Sequence, residues 1–321
     1  MKIQQIISNR WWNKNGSFDI VHEWEDQMAK DLSLPIMGDY SIFGNKYVRR
    51  IPLLYHFATK GKKSLVFDMY TNKTDFYKYC NSNIVPIIID FFETENQIGL
   101  IEKAYKSCKV VFISSKEAYE FLKEHKCKLN IEHLPLSLPD KYAITKNTHY
   151  DKDVDVLLIG RPNKVLLEWI KKYIDQHPKT RCAFRSDKGG FVDNFGQFVG
   201  NAHTRELYLQ MLRRTNVALY STPGMDKSRK GAQGYNQVTP RFLELLASGC
   251  QVIARYPDNP DTEYYELGKI TPHTESYEMF EEQMNRYLST EADMGKYSMY
   301  LKKHYTSYVS KILMDKLQKI K

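Results

Sequence analysis

Cysteine is scarce in this chain: five in 321 residues, at Cys80, Cys108, Cys127, Cys182 and Cys250. The number is odd and no pair has C-x-x-C spacing, which argues against a disulfide framework or a zinc site and fits reduced thiols in a cytoplasmic protein. No apolar run approaches about 18 residues, so no transmembrane helix is expected. The opening MKIQQIISNRWWNKNG is interrupted by Gln, Asn and Arg before the apolar stretch of a signal peptide could form. Neither G-x-G-x-x-G after a strand nor G-x-x-x-x-G-K-[ST] occurs, against Rossmann oxidoreductases and P-loop NTPases. H-E-x-x-H and G-x-S-x-G are missing too. The 23 tyrosines show no RNP-type spacing. D-x-D does occur, at Asp151–Asp153 and Asp153–Asp155, but in a linker ahead of a strand. No obligatory metal and no cofactor are expected.

What is present is ordinary globular composition, 42% hydrophobic and 26% charged, with a net charge of +9. The excess is distributed, 21 basic against 17 acidic residues to position 148 and 26 against 21 after it. That balance suits an anionic ligand or an anionic membrane surface as well as it suits nucleic acid. Continuous apolar runs at 2–8, 64–70, 85–92 and 110–115 predict parallel strands buried on both faces. Helical periodicity separates them: Ile20, Trp24, Met28 and Leu32 form a stripe over 18–32, and 97–108 and 116–125 read alike. The segment 133–153 loses its period and turns polar, which predicts domains over 1–148 and 149–321. The alternation restarts with strands at 154–160, 180–186, 196–201, 216–222 and 250–256 and helices at 164–177, 204–215 and 240–248. The fold class is therefore α/β, two doubly wound parallel sheets in tandem. A crevice beyond the strand ends, between the domains, is the expected ligand site.

The segment YNQVTPRFLELLASGCQVIA (235–254) is the most informative. Thr239 suits an N-cap, Pro240 the first helical position and Gly249 the C-terminal stop. Such a helix start presents free N–H groups and a positive dipole end. Arg241 lies in that first turn, where a cation gains nothing from the dipole, so either it answers to an anion or carboxylate nearby or it and Glu244 are solvated residues of an amphipathic helix. Glu244 follows one turn on.

TPRFLELLASGCQVIA resembles the donor-binding helix of GT-B glycosyltransferases, closest to the family 4-like and spore-maturation-type (family 1-like) group. The resemblance implies two Rossmann-like domains facing a central cleft, the second holding a nucleotide diphosphate-sugar and the first an acceptor. It implies that Glu244 bonds the ribose hydroxyls and Arg241 lies near the diphosphate. Many members carry a second Glu where this chain has Asn236, which leaves retaining and inverting outcomes both open. VDVLLIGRPNK (154–164) resembles the first strand of the donor domain, so Gly160, Arg161 and Lys164 are expected at the diphosphate, Arg161 aiding leaving-group departure. NVALYSTPG (216–224) resembles the strand and loop beneath the donor, with Ser221, Thr222 and Gly224 as contacts; Gln237 and Thr239 follow. GQFVGNAHTRELY resembles the strand-loop holding the nucleobase, with Phe198 and Val199 as candidates, and Arg185 ends a neighbouring strand.

In the first domain the resemblance covers 84–139. Asp90 stands where relatives often have a His and is the candidate base, with strand-end capping the alternative. Arg10, Trp11, Trp12 and Glu25 are candidates for acceptor contact. Tyr305, Tyr308, Val309, Ile312 and Leu313 form a C-terminal stripe expected to return to the first domain, with lysines outside it for anionic lipid. The expectation is a metal-independent glycosyltransferase building a surface polysaccharide on a glycan or lipid-linked glycan acceptor, cytoplasmic at the inner membrane face. A non-catalytic nucleotide-sugar-binding protein and a basic nucleic-acid-binding protein are the alternatives; no nucleic acid partner is expected.

Overall fold

Runs of Ile, Val and Phe too continuous for a half-exposed sheet become strands covered on both faces. The computed structural model describes residues 1–11, 16–38, 59–69, 82–160, 163–186 and 190–320. Trp12, Cys80 and Arg161 lie outside the described residues. The chain divides into two compact units, Met1–Asp140 with Lys303–Lys321, and Lys141–Lys302.

The first unit holds β1 (Gln5–Ser8), α1 (Asp19–Leu32), β2 (Ile36–Gly38), β3 (Ser64–Met69), β4 (Ile84–Ile89), α2 (Ile98–Tyr105), β5 (Val111–Ile113), α3 (Lys116–Glu124) and β6 (Ile131–His133). Its sheet runs in the order β2-β1-β3-β4-β5-β6, every pair parallel. All six residues of β4 are buried, as expected of a central parallel strand. On α1 the buried face is Val21, Trp24, Met28 and Ala29, whereas Ile20 and Leu32 are only half-buried at its margins. A strict i+4 stripe drifts around a helix of 3.6 residues per turn, so its ends rotate off the core.

The second unit holds β7 (Val154–Leu157), α4 (Lys164–Gln176), β8 (Cys182–Arg185), β9 (Phe191–Asp193), β10 (Phe198–Gly200), α5 (Arg205–Arg213), β11 (Thr215–Ser221), α6 (Pro240–Ala247), β12 (Gln251–Arg255), α7 (Pro260–Tyr264), α8 (Leu267–Ile270), α9 (Tyr277–Leu288) and α10 (Met294–Leu301). The sheet order is β10-β9-β8-β7-β11-β12. It departs from the all-parallel expectation at one edge, where β8–β9 and β9–β10 are antiparallel. The connections there are too short for a crossover helix, so the chain must turn back on itself. Asp193 ties the second turn, its Oδ1 accepting from the amides of Phe195 at 3.0 Å and Gln197 at 2.8 Å. Asp153 of the linker D-x-D is occupied by Arg214, whose Nε donates to Oδ1 at 2.8 Å.

The final helix, α11 (Thr306–Lys319), belongs to the first unit. It buries Val309, Leu313 and Leu317 in the same cluster as Trp24, Met28 and Val85, with Ile312 partly buried beside them. Tyr308, expected in that stripe, is 42% exposed. Spacings of four from Val309 reach Leu317, and Tyr308 falls a third of a turn aside. Leu313→Ala is expected to cost about 3 kcal/mol, and Tyr308→Ala no more than about 0.5 kcal/mol, as read from urea unfolding of the full chain.

Candidate functional site

In the second unit the strand order reverses between β7 and β11. The crossover through α4 leads from β7 to β8 on one side, and the crossover through α6 leads from β11 to β12 on the other. A crevice opens at the C-terminal strand ends beside such a switch, and the chain places Gly160 and Ser221–Gly224 there. Gly160 adopts φ +83°, a conformation that favours glycine, and a Cβ on it would collide with the guanidinium of Arg241. Arg241 therefore lies flat on the turn that leaves β7. Among the described residues it forms no ion pair, and its Nε is buried without a hydrogen-bond partner.

The start of α6 is built as its residue types require. Thr239 is extended at φ −90° and ψ 155°, and Pro240 follows inside the helix. The Thr239 amide donates to the Tyr220 hydroxyl at 3.1 Å, and burial raises the Tyr220 phenol above its ordinary value. The first turn carries no acidic residue. Glu244, 4% exposed, has both oxygens engaged: Arg205 Nη1 lies 2.6 Å from Oε1, and the Tyr208 hydroxyl donates to Oε2 at 2.7 Å. Burial, then the Glu244 charge, push the Tyr208 phenol well above its usual range.

A second network fastens the loops of the switch point. Asn163 caps α4, accepting from the Leu166 amide at 3.1 Å, and its Nδ2 donates to Asp226 Oδ2 at 2.8 Å. Arg255, at the end of β12, grips Asp226 with Nε at 2.8 Å and Nη2 at 2.9 Å, and stacks over Trp169 at 4.9 Å. Arg255 holds the Asp226 carboxyl below the usual carboxylate range. Thr222, fully buried, donates to Asn236 Oδ1 at 2.6 Å, and Asn236 Nδ2 donates to the Gly234 carbonyl at 2.7 Å. Gly224 packs directly on the backbone of Gly234 and Tyr235, with no room for a side chain.

The structure thus brings Gly160, Thr222, Gly224, Asn236, Gln237, Thr239, Arg241 and Glu244 to the loops and helix around one switch point. Thr222 and Asn236 are spent on each other there, and Gln237 is buried. Lys164 is exposed on the first turn of α4, and Arg185 is exposed at the end of β8. Val199 is buried on the edge strand β10, three strands and so about 14 Å from β7, with its carbonyl accepting from Arg214 at 2.8 Å. Phe198 beside it is 63% exposed and His203 is exposed. Arg205, Tyr208, Asn163, Asp226 and Arg255 are not singled out by sequence reasoning. Asp226 carries no local signal; Arg205 and Tyr208 are one turn apart at the start of α5, a spacing visible in TRELY once the helix start is known.

In the first unit Glu25 is 2% exposed and serves the interior: Ser8 Oγ donates to it at 2.5 Å and Arg10 at 3.0 Å, and Arg10 also reaches Asp26 at 2.7 Å. Burial pushes the Glu25 carboxyl up to about 7 even though Ser8 and Arg10 favour its charged form. Trp11 is 53% exposed and lies against Gly38. Asp90 follows β4 with φ +56°. Three residues on, Glu93 is 1% exposed and burial pushes it up to about 7. Its proton is thus held more tightly in the folded chain than in the unfolded one, where Glu titrates near about 4.3. Stability is fullest below that lower value and falls as pH rises toward 7. Glu93→Gln should match wild type near pH 4 and exceed it by on the order of 2 kcal/mol near pH 8, measured by urea unfolding at both pH values; a gap independent of pH would contradict the assignment.

No protein-family model matches the chain, and no curated protein does. Solved structures do. The Anabaena HepE protein in complex with UDP and glucose aligns with a TM-score of 0.60 at 7% identity, covering 99% of this chain and 100% of that one. The UDP-forming α,α-trehalose-phosphate synthase of Burkholderia xenovorans aligns at 0.55 and 10% identity, over 96% and 84%. The pneumococcal O-GlcNAc transferase GtfA in complex with UDP and GlcNAc aligns at 0.50 and 12%, over 85% of this chain; the chain spans 60% of that protein's length. With two α/β units, each built on a six-stranded and mainly parallel sheet, the chain has the GT-B fold.

Proposed function

We propose that the protein transfers a sugar from a nucleoside diphosphate-sugar to an acceptor hydroxyl, with the donor held at the β7/β11 switch point. The observation that carries this reading is Arg241: a guanidinium set on Gly160, without a carboxylate partner among the described residues and with a buried orphan donor. A cation kept in that state fits an incoming anion, and a guanidinium fork matches a diphosphate. The amides at the start of α6 point the same way. Solved structures of the same fold that contain UDP agree with the choice of donor.

In the reaction the bond from the anomeric carbon to the diphosphate oxygen breaks, and the acceptor oxygen bonds that carbon. The electron pair leaves with the diphosphate, whose charge Arg241, Lys164 and Arg161 would stabilise. The acceptor proton needs a base, and Asp90 is the carboxylate we assign to receive it. Its left-handed backbone suits Asn equally well, so Asp90→Asn isolates the carboxylate. Arg241→Met is expected to raise the Kd for UDP by about tenfold or more with little change in melting temperature. Asp90→Asn should leave that Kd alone and lower kcat by about a hundredfold or more. Calorimetric titration with UDP, and turnover with a UDP-sugar panel, separate the two; wild-type UDP affinity in the Arg241 variant would remove the donor site from this place.

We further propose a lipid-linked glycan acceptor at an anionic membrane face. Lys109, Lys316 and Lys319, with Asn130, Glu132 and Ile320, line a cavity of about 500 Å³ at the N-terminal ends of β5 and β6. Lys316 pairs with Glu132 at 2.5 Å, whereas Lys109 and Lys319 have no acidic partner among the described residues. Each cation near an anionic surface adds about 1 kcal/mol. Sedimentation with vesicles should show binding to phosphatidylglycerol but not phosphatidylcholine, lost in Lys109→Glu/Lys319→Glu; equal binding to both lipids would refute it.

A further inference from the structure

Arg241 and Glu244 stand three residues apart on α6, a spacing at which opposite charges on a helix ordinarily pair. Here they do not. Both Glu244 oxygens are taken from another helix, by Arg205 at 2.6 Å and by the Tyr208 hydroxyl at 2.7 Å. Arg205 is itself set against two rings, 5.3 Å from Tyr142 and 5.5 Å from Tyr208. Arg205, Tyr208, Arg241 and Glu244 together hold two positive charges and one negative. A carboxylate as buried as Glu244 keeps its charge only with a cation beside it, and Arg205 is that cation. The leftover charge is Arg241, lying on Gly160 at the switch point.

We infer that Arg205 and Tyr208 are positioning residues, which satisfy Glu244 and so keep the charge of Arg241 available to the donor diphosphate. The inference rests on the donor-site reading above and gives Glu244 a role other than bonding ribose hydroxyls. Without Arg205, the nearest cation to Glu244 along its own helix is Arg241. An ion pair between them would draw the guanidinium off Gly160 and neutralise it. Tyr208 supports the arrangement from the other oxygen: its hydroxyl occupies the lone pairs that Arg241 would otherwise reach.

Two measurements on the full chain test this. The first needs no ligand. In a double-mutant cycle followed by urea unfolding, Arg241→Met alone should change stability little, because Arg241 has no partner to lose. In the Arg205→Met background the same substitution should be clearly destabilising, because Glu244 then loses its replacement cation. Additive effects would overturn the inference. The second is calorimetric titration with UDP and with inorganic pyrophosphate. Arg205→Met should weaken UDP by about tenfold, and Arg205→Met/Glu244→Gln should return to within about threefold of wild type, since a neutral side chain cannot capture Arg241. Unchanged affinity in Arg205→Met, or a double variant no better than the single one, would overturn it. Should Arg205→Met fail to fold, Tyr208→Phe removes one hydroxyl alone and should weaken UDP in the same direction; unchanged affinity in Tyr208→Phe would count against the inference. If wild type binds neither UDP nor pyrophosphate, the donor-site reading fails, and the unfolding cycle still decides whether Arg205 spares Arg241.

Discussion

A guanidinium at the wrong end of a helix is the constraint from which the second unit is best understood. Arg241 sits in the first turn of α6, where the dipole repels a cation and where no acidic residue offsets it. Its partner by spacing, Glu244, is engaged elsewhere. Only the absence of a side chain on Gly160 lets the guanidinium lie where it does. Such an arrangement gives the helix nothing in return, and proteins keep features of that kind where binding or catalysis requires them.

The sheet topology determines where that charge is presented. Because β7 and β11 send their crossovers in opposite directions, the helices α4 and α6 begin on either side of the reversal. The loops there have little regular structure and need fastening. Asp226 does this by joining Asn163 after β7 to Arg255 at the end of β12. Its φ of +52° is tolerated because two strong partners hold it. Thr222 and Asn236 close the same loop from within, and Gly224 lets its two limbs touch.

Much of the framework was legible in the amino-acid sequence. Parallel strands buried on both faces leave continuous Val/Ile/Phe runs, and the helices between them keep a 3.6-residue period, so β3, β11 and β12 could be placed within a residue, whereas the apolar run of β4 continues through Phe91 and Phe92 past the strand's end at Ile89. The antiparallel edge was not legible, because a strand run does not say which way it is traversed; that depends on the length of the connection. The candidate site was visible as a segment, TPRFLELLASG, and as types of residue. Its wiring was not. Whether Glu244 faces a ligand or an internal cation depends on where Arg205 of a different helix lands, a long-range fact with no local trace. The raised pKa of Glu93, and of Glu25 that was expected at the acceptor, was hidden for a similar reason, since it comes from burial that only the folded chain creates.

One contact decides whether the second unit holds a donor, the diphosphate against Arg241. A crystal structure of the full chain grown with UDP would examine it most directly. The expected electron density places the diphosphate within hydrogen-bond distance of the Arg241 guanidinium at the Gly160 turn, with the Arg205–Glu244 pair intact. Density for UDP at another place in the chain, or a ribose on Glu244 with Arg205 displaced, would contradict it.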